Sequence, residues 1–348
     1  MINKIGRVAI WLGAIVALLA ACVYAFYLSL GIDQIPKPNK LATVASLDYM
    51  QRAVPAKRGR ILAVVSSTAR MDGGKKKAGY ELTELSRAYY VFIANGFEVD
   101  IASPQGGKAP MVLDDMGDSD YAFLNDKEAQ AKVSASLKLA DIDPARYAAV
   151  YFVGGKGAMF DFPDNPDIAR IVASIAPRGV VGAICHGPAA LLGVRLANGT
   201  HLMAGRTMTA VSNAEELFMR ANARAVFPFL LEDKAKEVGA YFTQVPLFLD
   251  NTVIDDRLVT GQNPWSTWST AEGMITALGY TPVQRASTPE EVSVRLLATY
   301  YRDGLDKARA EQARVPRFDK MLLLMHALVA GMEWRLIDAF NLQRLGNP

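Results

Sequence analysis

The sequence predicts an α/β chain built on a parallel sheet, with a reactive cysteine at the end of one strand. Three observations carry this. Apolar runs of strand length alternate with segments of helical period between residues 60 and 219, and such alternation makes a parallel sheet covered on both faces. Val180–Ile184 passes through Cys185 straight into Gly187-Pro188-Ala189-Ala190-Leu191-Leu192, a strand turning into a helix. Gly154-Gly155, Cys185 and Ser212 all fall at the carboxyl ends of predicted strands, where open α/β sheets bind their ligands.

From the N-terminus, residues 1–32 read as a membrane anchor. No charge occurs from Val8 to Ile32, and about 20 apolar residues suffice to cross a bilayer as a helix. Lys4 and Arg7 precede the run, and Trp11, Tyr24 and Tyr27 suit its interfaces. The charge bias sets the N-terminus inside and the body of the protein on the outer, periplasmic side. The alternative is a lipoprotein, because Leu19-Ala20-Ala21-Cys22 resembles a lipidation box with Cys22 as acceptor. Residues 33–58 read as a linker broken by Pro36, Pro38 and Pro55.

The globular pattern occupies residues 59–281. Ile61 to Ser67 is a buried strand, a continuous apolar run of the parallel kind. Residues 81–95 form a helix with Leu82, Leu85, Tyr89 and Phe92 on one face and Asn95-Gly96 as its stop. Glu98 to Ala102 and Tyr147 to Val153 are further strands, and residues 166–176 a second helix. Val180 to Ile184 leads to Cys185. Thr207 to Ser212 is another strand, and Asn213 to Met219 begins another helix. Residues 282–348 are a helical extension. Thr288 to Ala308 is one helix started by Ser287-Thr288-Pro289-Glu290-Glu291. Met321 to Met332 is apolar but too short to span a bilayer. A packing helix and an interfacial helix both fit it, with Trp334 and Arg335 at its end.

Composition excludes several classes. Net charge is +3, and there is no basic stripe interleaved with aromatics, so nucleic acid is not an expected partner. Lys75-Lys76-Lys77 is a short solvated run. Cys22 and Cys185 alone give neither a disulfide framework nor a thiolate cluster. With only His186, His201 and His326, no metal site is expected, and no cofactor. A sharp strand-to-helix turn holds its junction residue proud of the sheet and aims the helix's first amides at what that residue attacks. Positive potential at a helix N-terminus also favours thiolate. Cys185 is therefore the candidate nucleophile, with His186 beside it.

Four ordered segments carry a family resemblance. They are Gly96-Phe97-Glu98-Val99-Asp100-Ile101-Ala102-Ser103-Pro104-Gln105-Gly106-Gly107, Asp161-Phe162-Pro163-Asp164-Asn165, Ala183-Ile184-Cys185-His186-Gly187-Pro188, and Val259-Thr260-Gly261-Gln262-Asn263-Pro264. Residues 60–281 resemble the PfpI-like branch of the class I glutamine amidotransferase-like superfamily, with similarity to the glutathione-independent glyoxalases (glyoxalase III) and their stress-chaperone cousins. The resemblance implies a flavodoxin-like doubly wound sheet with a nucleophile elbow. It implies Cys185 as nucleophile and His186 as triad histidine. Glu216 is the orienting acid, with Glu215 as the alternative. Glu84 lies against the thiol, five residues after Gly79, with Glu81 as the alternative. A glutamate beside a thiolate keeps its proton, since adjacent anions do not both ionise cheaply. Gly154, Gly155, Lys156, Gly187 and Asn263 border the pocket, and amides near Gly155 and His186 form the oxyanion site.

One departure stands out. Relatives read Gly-Gly-His-Gly where this chain reads Gly154-Gly155-Lys156-Gly157. A cation facing inward there favours an anionic substrate or a lower thiol pKa. The activity implied is conversion of methylglyoxal or a related 2-oxoaldehyde to a hydroxy acid, a D-lactate dehydratase-type lyase reaction on a small aldehyde. Amide or peptide hydrolysis by the same triad, and a membrane-tethered chaperone or redox-sensing module, are the alternatives. A homodimer is left open.

Overall fold

The computed structural model describes residues 37–347 and scattered positions between residues 11 and 31. The chain divides into two compact units, residues 38–287 and residues 288–348 together with residues 1–37.

The larger unit is a seven-stranded sheet. Its strands are β1 (Arg60–Val64), β2 (Glu98–Ser103), β3 (Leu137–Lys138), β4 (Ala149–Phe152), β5 (Val180–Ile184), β6 (Thr252–Asp255) and β7 (Leu258–Gly261). Their spatial order is β6-β7-β5-β4-β1-β2-β3. All pairs are parallel except β6–β7, an antiparallel hairpin with Asp255 opposite Leu258. β1 lies between β2, with Ile61 opposite Val99, and β4, with Ile61 opposite Ala149. The winding direction therefore reverses between β1 and β4, and such a switch point opens a crevice at the strands' carboxyl ends.

Helix α1 (Leu82–Ala94) follows β1 and is buried on nearly every residue. Helix α2 (Pro166–Ile175) packs on β4 and β5 through Ile168, Ile171, Val172 and Ile175. It starts cleanly because the Asn165 side chain accepts from the Asp167 and Ile168 amides and Pro166 needs no partner at N1. Helix α3 (Asn213–Met219) precedes β6, and α4 (Thr267–Ala277) closes the unit against α1.

Three expectations in this unit are corrected. Thr207 to Ser212 is not a strand of the main sheet. Only Thr207–Met208 is extended, and it pairs with Tyr241–Phe242. The β6–β7 hairpin already occupies the position beside β5. Its side chains take the amides that a strand would offer, Asp255 from Thr207 at 2.6 Å and Thr260 from Thr209 at 2.9 Å. Ser212 is accordingly a helix cap. The segment after Cys185 is not an α-helix but a five-residue 3₁₀ turn, Gly187–Leu191. Residues 38–58 do not run free as a linker. They form short turns at Val44–Ser46 and Asp48–Arg52, and bury Ala42, Leu47 and Tyr49 in the core.

The membrane-spanning helix expected over residues 8–32 is corrected too. Among the described residues, no helix is long and apolar enough to cross a membrane. Residues 8–10 and several positions between 13 and 32 lie outside the described residues. The placement of the body of the protein outside a membrane falls with that helix. Cys22, the lipidation alternative, lies outside the described residues.

In the smaller unit, α5 (Pro289–Asp303) is capped reciprocally by Thr288 and Glu291. The single helix expected over Thr288 to Ala308 is broken at Gly304, whose φ of 87° is left-handed, and resumes as α6 (Leu305–Gln312). Helix α7 (Lys320–Met332) packs against α8 (Leu336–Gly346), burying Leu322, Leu323, Ala327 and Ala330. The α7 face bearing Leu328 and Met332 remains exposed.

Candidate active site

β5 delivers Cys185 to the crevice. Its φ of 55° is a left-handed conformation that non-glycine residues rarely adopt. The surrounding bonds impose it. The Cys185 amide donates to Gly261 at the end of β7, and its carbonyl accepts from Val211, both at 2.9 Å. The chain then passes so close to β4 that a β-carbon on Gly187 would strike the Phe152 carbonyl. Strain pinned from several sides is a common mark of a functional residue.

His186 and Glu216 complete a line from the sulfur. Cys185 Sγ lies 3.4 Å from His186 Nδ1, and His186 Nε2 lies 2.6 Å from Glu216 Oε2. All three residues are buried. A carboxylate on Nε2 holds the ring proton there, which leaves Nδ1 as an acceptor for the thiol proton. Burial alone would raise the Glu216 carboxyl. His186, with Lys156 and Arg220 further off, outweighs burial and pulls it below its ordinary range.

The neighbouring glutamate does something else. Glu215 takes the Ser212 amide and hydroxyl at 3.2 Å, the Phe248 amide at 3.0 Å and the Asn263 side chain at 2.8 Å. It closes the capping box of α3. Asn263, expected at the pocket, spends its amide group on Glu215 and on the Leu249 carbonyl. It positions the start of α3. The structure therefore brings Glu216, not Glu215, to the imidazole.

Glu84 projects from the first turn of α1 and is completely buried. Neither of its carboxyl oxygens has a partner at full hydrogen-bond geometry, and the Cys185 thiol and the Gly154 amide are its polar neighbours. Burial first, then the charge of Glu81, pushes its carboxyl well above the ordinary range, opposed by the Cys185 thiol and the Gly154 amide. Burial likewise pushes the Cys185 thiol up, and the charges of Glu84, Glu215 and Glu81 would push it further. This corrects the expectation of a thiol lowered by a helix N-terminus, since a five-residue 3₁₀ turn carries little aligned dipole. Two anions do not coexist here. When the sulfur is ionised, Glu84 holds its proton and ceases to oppose it.

The loop after β4 closes the site. A β-carbon on Gly154 would lie 2.7 Å from the Ile184 carbonyl and 2.8 Å from Cys185 Cβ, and would also strike Glu84. Gly155, at φ 97°, packs onto residues 79–81. Among the described residues, the Gly155 and His186 amides donate to no protein acceptor, so both are available to a developing oxyanion. Gly154→Ala is expected to lower stability by about 1–3 kcal/mol and to disturb Cys185. Urea unfolding with Cys185 labelling checks this. An unchanged midpoint and labelling rate would mean that the loop yields.

Glu81, the alternative to Glu84, is half-buried at the mouth, and burial raises its carboxyl against the pull of Lys156. Lys156 is half-buried and acts on both Glu81 and Glu216. The Phe227 ring lies 5.8 Å from that of His186. Sequence reasoning missed Phe227 and Arg220. Arg220, four residues after Glu216 in the sequence, is the extended residue that ends α3. Among the described residues, no group of three His, Cys, Asp or Glu could hold a metal ion.

The model of the DJ-1/PfpI family matches residues 76–276. The chain belongs to the DJ-1/PfpI family. Its relatives include glyoxalase 3 of Candida albicans, 29% identical over 62% of this chain and 97% of that protein. A glutathione-independent glyoxalase of Saccharomyces cerevisiae is 32% identical over 58% of this chain and 90% of its own length. Among solved structures, the Rapid Encystment Protein 24 kDa of Francisella tularensis aligns with a TM-score of 0.60 and 34% identity, over 63% of this chain and 99% of that one. Glyoxalase III of Candida albicans aligns with a TM-score of 0.56 and 26% identity, over 63% and 97%.

Proposed function

We propose that this DJ-1/PfpI protein is a glyoxalase of the glutathione-independent type. It converts methylglyoxal or a related 2-oxoaldehyde to the hydroxy acid, with Cys185, His186, Glu216 and Glu84 as its working groups. The observation that carries this reading is Glu84, a fully buried acid set against the Cys185 thiol. An amide or peptide hydrolase would need the Cys185-His186-Glu216 line and two oxyanion amides. It would have no use for a second desolvated acid beside the sulfur. An isomerisation that moves a proton between adjacent carbons does.

The proton count closes. Cys185 Sγ attacks the aldehyde carbon as its proton passes to His186 Nδ1, and Glu216 stabilises the imidazolium. Glu84 protonates the new alkoxide, held by the Gly155 and His186 amides, and is left as a carboxylate. That carboxylate removes the proton from the former aldehyde carbon, while His186 protonates the neighbouring carbonyl oxygen, giving an enediol. Glu84 returns its proton to the neighbouring carbon, and His186 takes the remaining hydroxyl proton, leaving a thioester. Water attacks the thioester, giving one proton to Glu84. Sulfur leaves and is protonated by His186.

The test is incubation of the full chain with methylglyoxal and other 2-oxoaldehydes without glutathione, with Cys185→Ala as control. Hydroxy acid should form with the wild type alone. Absence of turnover, or turnover that survives in Cys185→Ala, would overturn the reading.

A further inference from the structure

We propose that Lys156 and Arg220 form an anion clamp at the rim of the Cys185 site, and that the preferred substrate is a 2-oxoaldehyde carrying a carboxylate or phosphate further along its carbon chain. The substrate class rests on the glyoxalase reading above; the clamp does not.

Lys156 follows Gly154-Gly155 in the loop after β4. Its backbone is fixed, since the Gly157 amide donates to Gly79 at 3.0 Å and Gly155 has no room for a β-carbon beside the Glu81 amide. Arg220 ends α3 one turn beyond Glu216, its amide donating to the Glu216 carbonyl at 2.9 Å. The two residues thus stand on different elements around Glu216, and their charges both favour its ionised form.

Neither cation is spent. Among the described residues, Lys156 and Arg220 make no side-chain hydrogen bond or ion pair, and the Arg220 Nε is buried with no partner. Glu216 forms no ion pair with either. Its Oε2 is taken by His186, and its Oε1 is buried with no partner. Elsewhere in this unit Arg60 is paired with Asp100 and Arg206 with Asp255. Partly burying an unpaired cation is costly unless something arrives to pair it.

The surroundings make the need specific. Glu81, Glu84 and Glu215 act on the sulfur, and Asp114 and Asp115 act on Glu81. Glu84 holds its proton, but the ionised Glu216 and the acids at the mouth would still repel an anionic ligand. Two unspent cations on the Glu216 side reverse that, and a neutral aldehyde such as methylglyoxal has no group for them.

The test measures Cys185 alkylation by iodoacetate, which is anionic, and by iodoacetamide, which is neutral and of similar size. The ratio of the two rates cancels any change in thiol ionisation. It should fall about tenfold in the Lys156→Gln/Arg220→Gln double variant, and in the wild type it should fall as salt is raised. Lys156→Arg should retain it. A ratio unchanged in the variants, or, if the double variant does not fold, a wild-type ratio indifferent to salt, would overturn the clamp. Protection of Cys185 from iodoacetamide by pyruvate assigns a carboxylate, and protection by inorganic phosphate a phosphate. Protection by neither overturns the substrate class. Alkylation needs no turnover. A chain that converts methylglyoxal with an unchanged ratio keeps the glyoxalase reading and loses the clamp.

Discussion

Glu84→Gln is expected to lower turnover of 2-oxoaldehydes by about 10²–10⁴-fold, the usual range for removing a general acid–base group, while raising stability at neutral pH. The first effect follows from the proton route. Glutamine has the shape of the protonated carboxyl, so Cys185 keeps its surroundings and should still be labelled by iodoacetamide. What is lost is the carboxylate that appears after the first proton is given away. Glu81→Gln, at the mouth of the site, should remain active. The reverse pattern would mean that the proton carrier is Glu81.

The stability effect has a defined sign. The Glu84 carboxyl is held well above its ordinary value in the folded protein, so above about pH 4.5 the unfolded chain has lost a proton that the folded chain retains. Folding stability then falls as pH rises, by about 1.4 kcal/mol per pH unit for one proton. The loss continues until pH reaches the folded value. Glutamine does not titrate. The advantage of Glu84→Gln should therefore be absent in acid and grow above about pH 4.5. Urea unfolding at several pH values reads it directly. A variant with no pH-dependent gain would mean that Glu84 is ionised in the folded state.

Much of this architecture was legible in the sequence. β5 was readable residue for residue because a strand buried on both faces writes itself as a continuous apolar run. The β6–β7 hairpin was not, since its strands are short and β6 is partly exposed. Helix α4 was missed because Thr267–Ala277 is rich in small and hydroxyl residues and buried around most of its circumference, which leaves no clear stripe. In the site, Cys185 and His186 were visible because they are adjacent at a strand end. The environment of the thiol was not, because it is set by burial and by acids from three other elements. The C-terminal break at Gly304 also escaped, for only its left-handed φ distinguishes it from a glycine tolerated within a helix.

Glu215 and Glu216 show what sequence leaves undecided and yield the second large effect. Adjacent residues on α3 point about 100° apart, and contacts distant in sequence decide which meets His186. The Phe248 amide and the Asn263 side chain hold Glu215 back. Glu216→Gln is expected to cut turnover by about 10²–10⁴-fold, the scale on which loss of a charged orienting partner affects a histidine base. It should also remove stability that is present above about pH 4.5 and lost as pH falls through the lowered folded value. Glu215→Gln should behave differently. Its new amide hydrogens would face the Ser212 amide and hydroxyl or the Phe248 amide and Asn263, donor against donor. That should cost about 1–3 kcal/mol of stability and leave most of the turnover per folded molecule. Turnover normalised to folded protein, with urea midpoints, separates the two. If Glu215→Gln loses turnover while Glu216→Gln keeps it, the imidazole is oriented from the other acid, and the Cys185–His186–Glu216 line is not the working one.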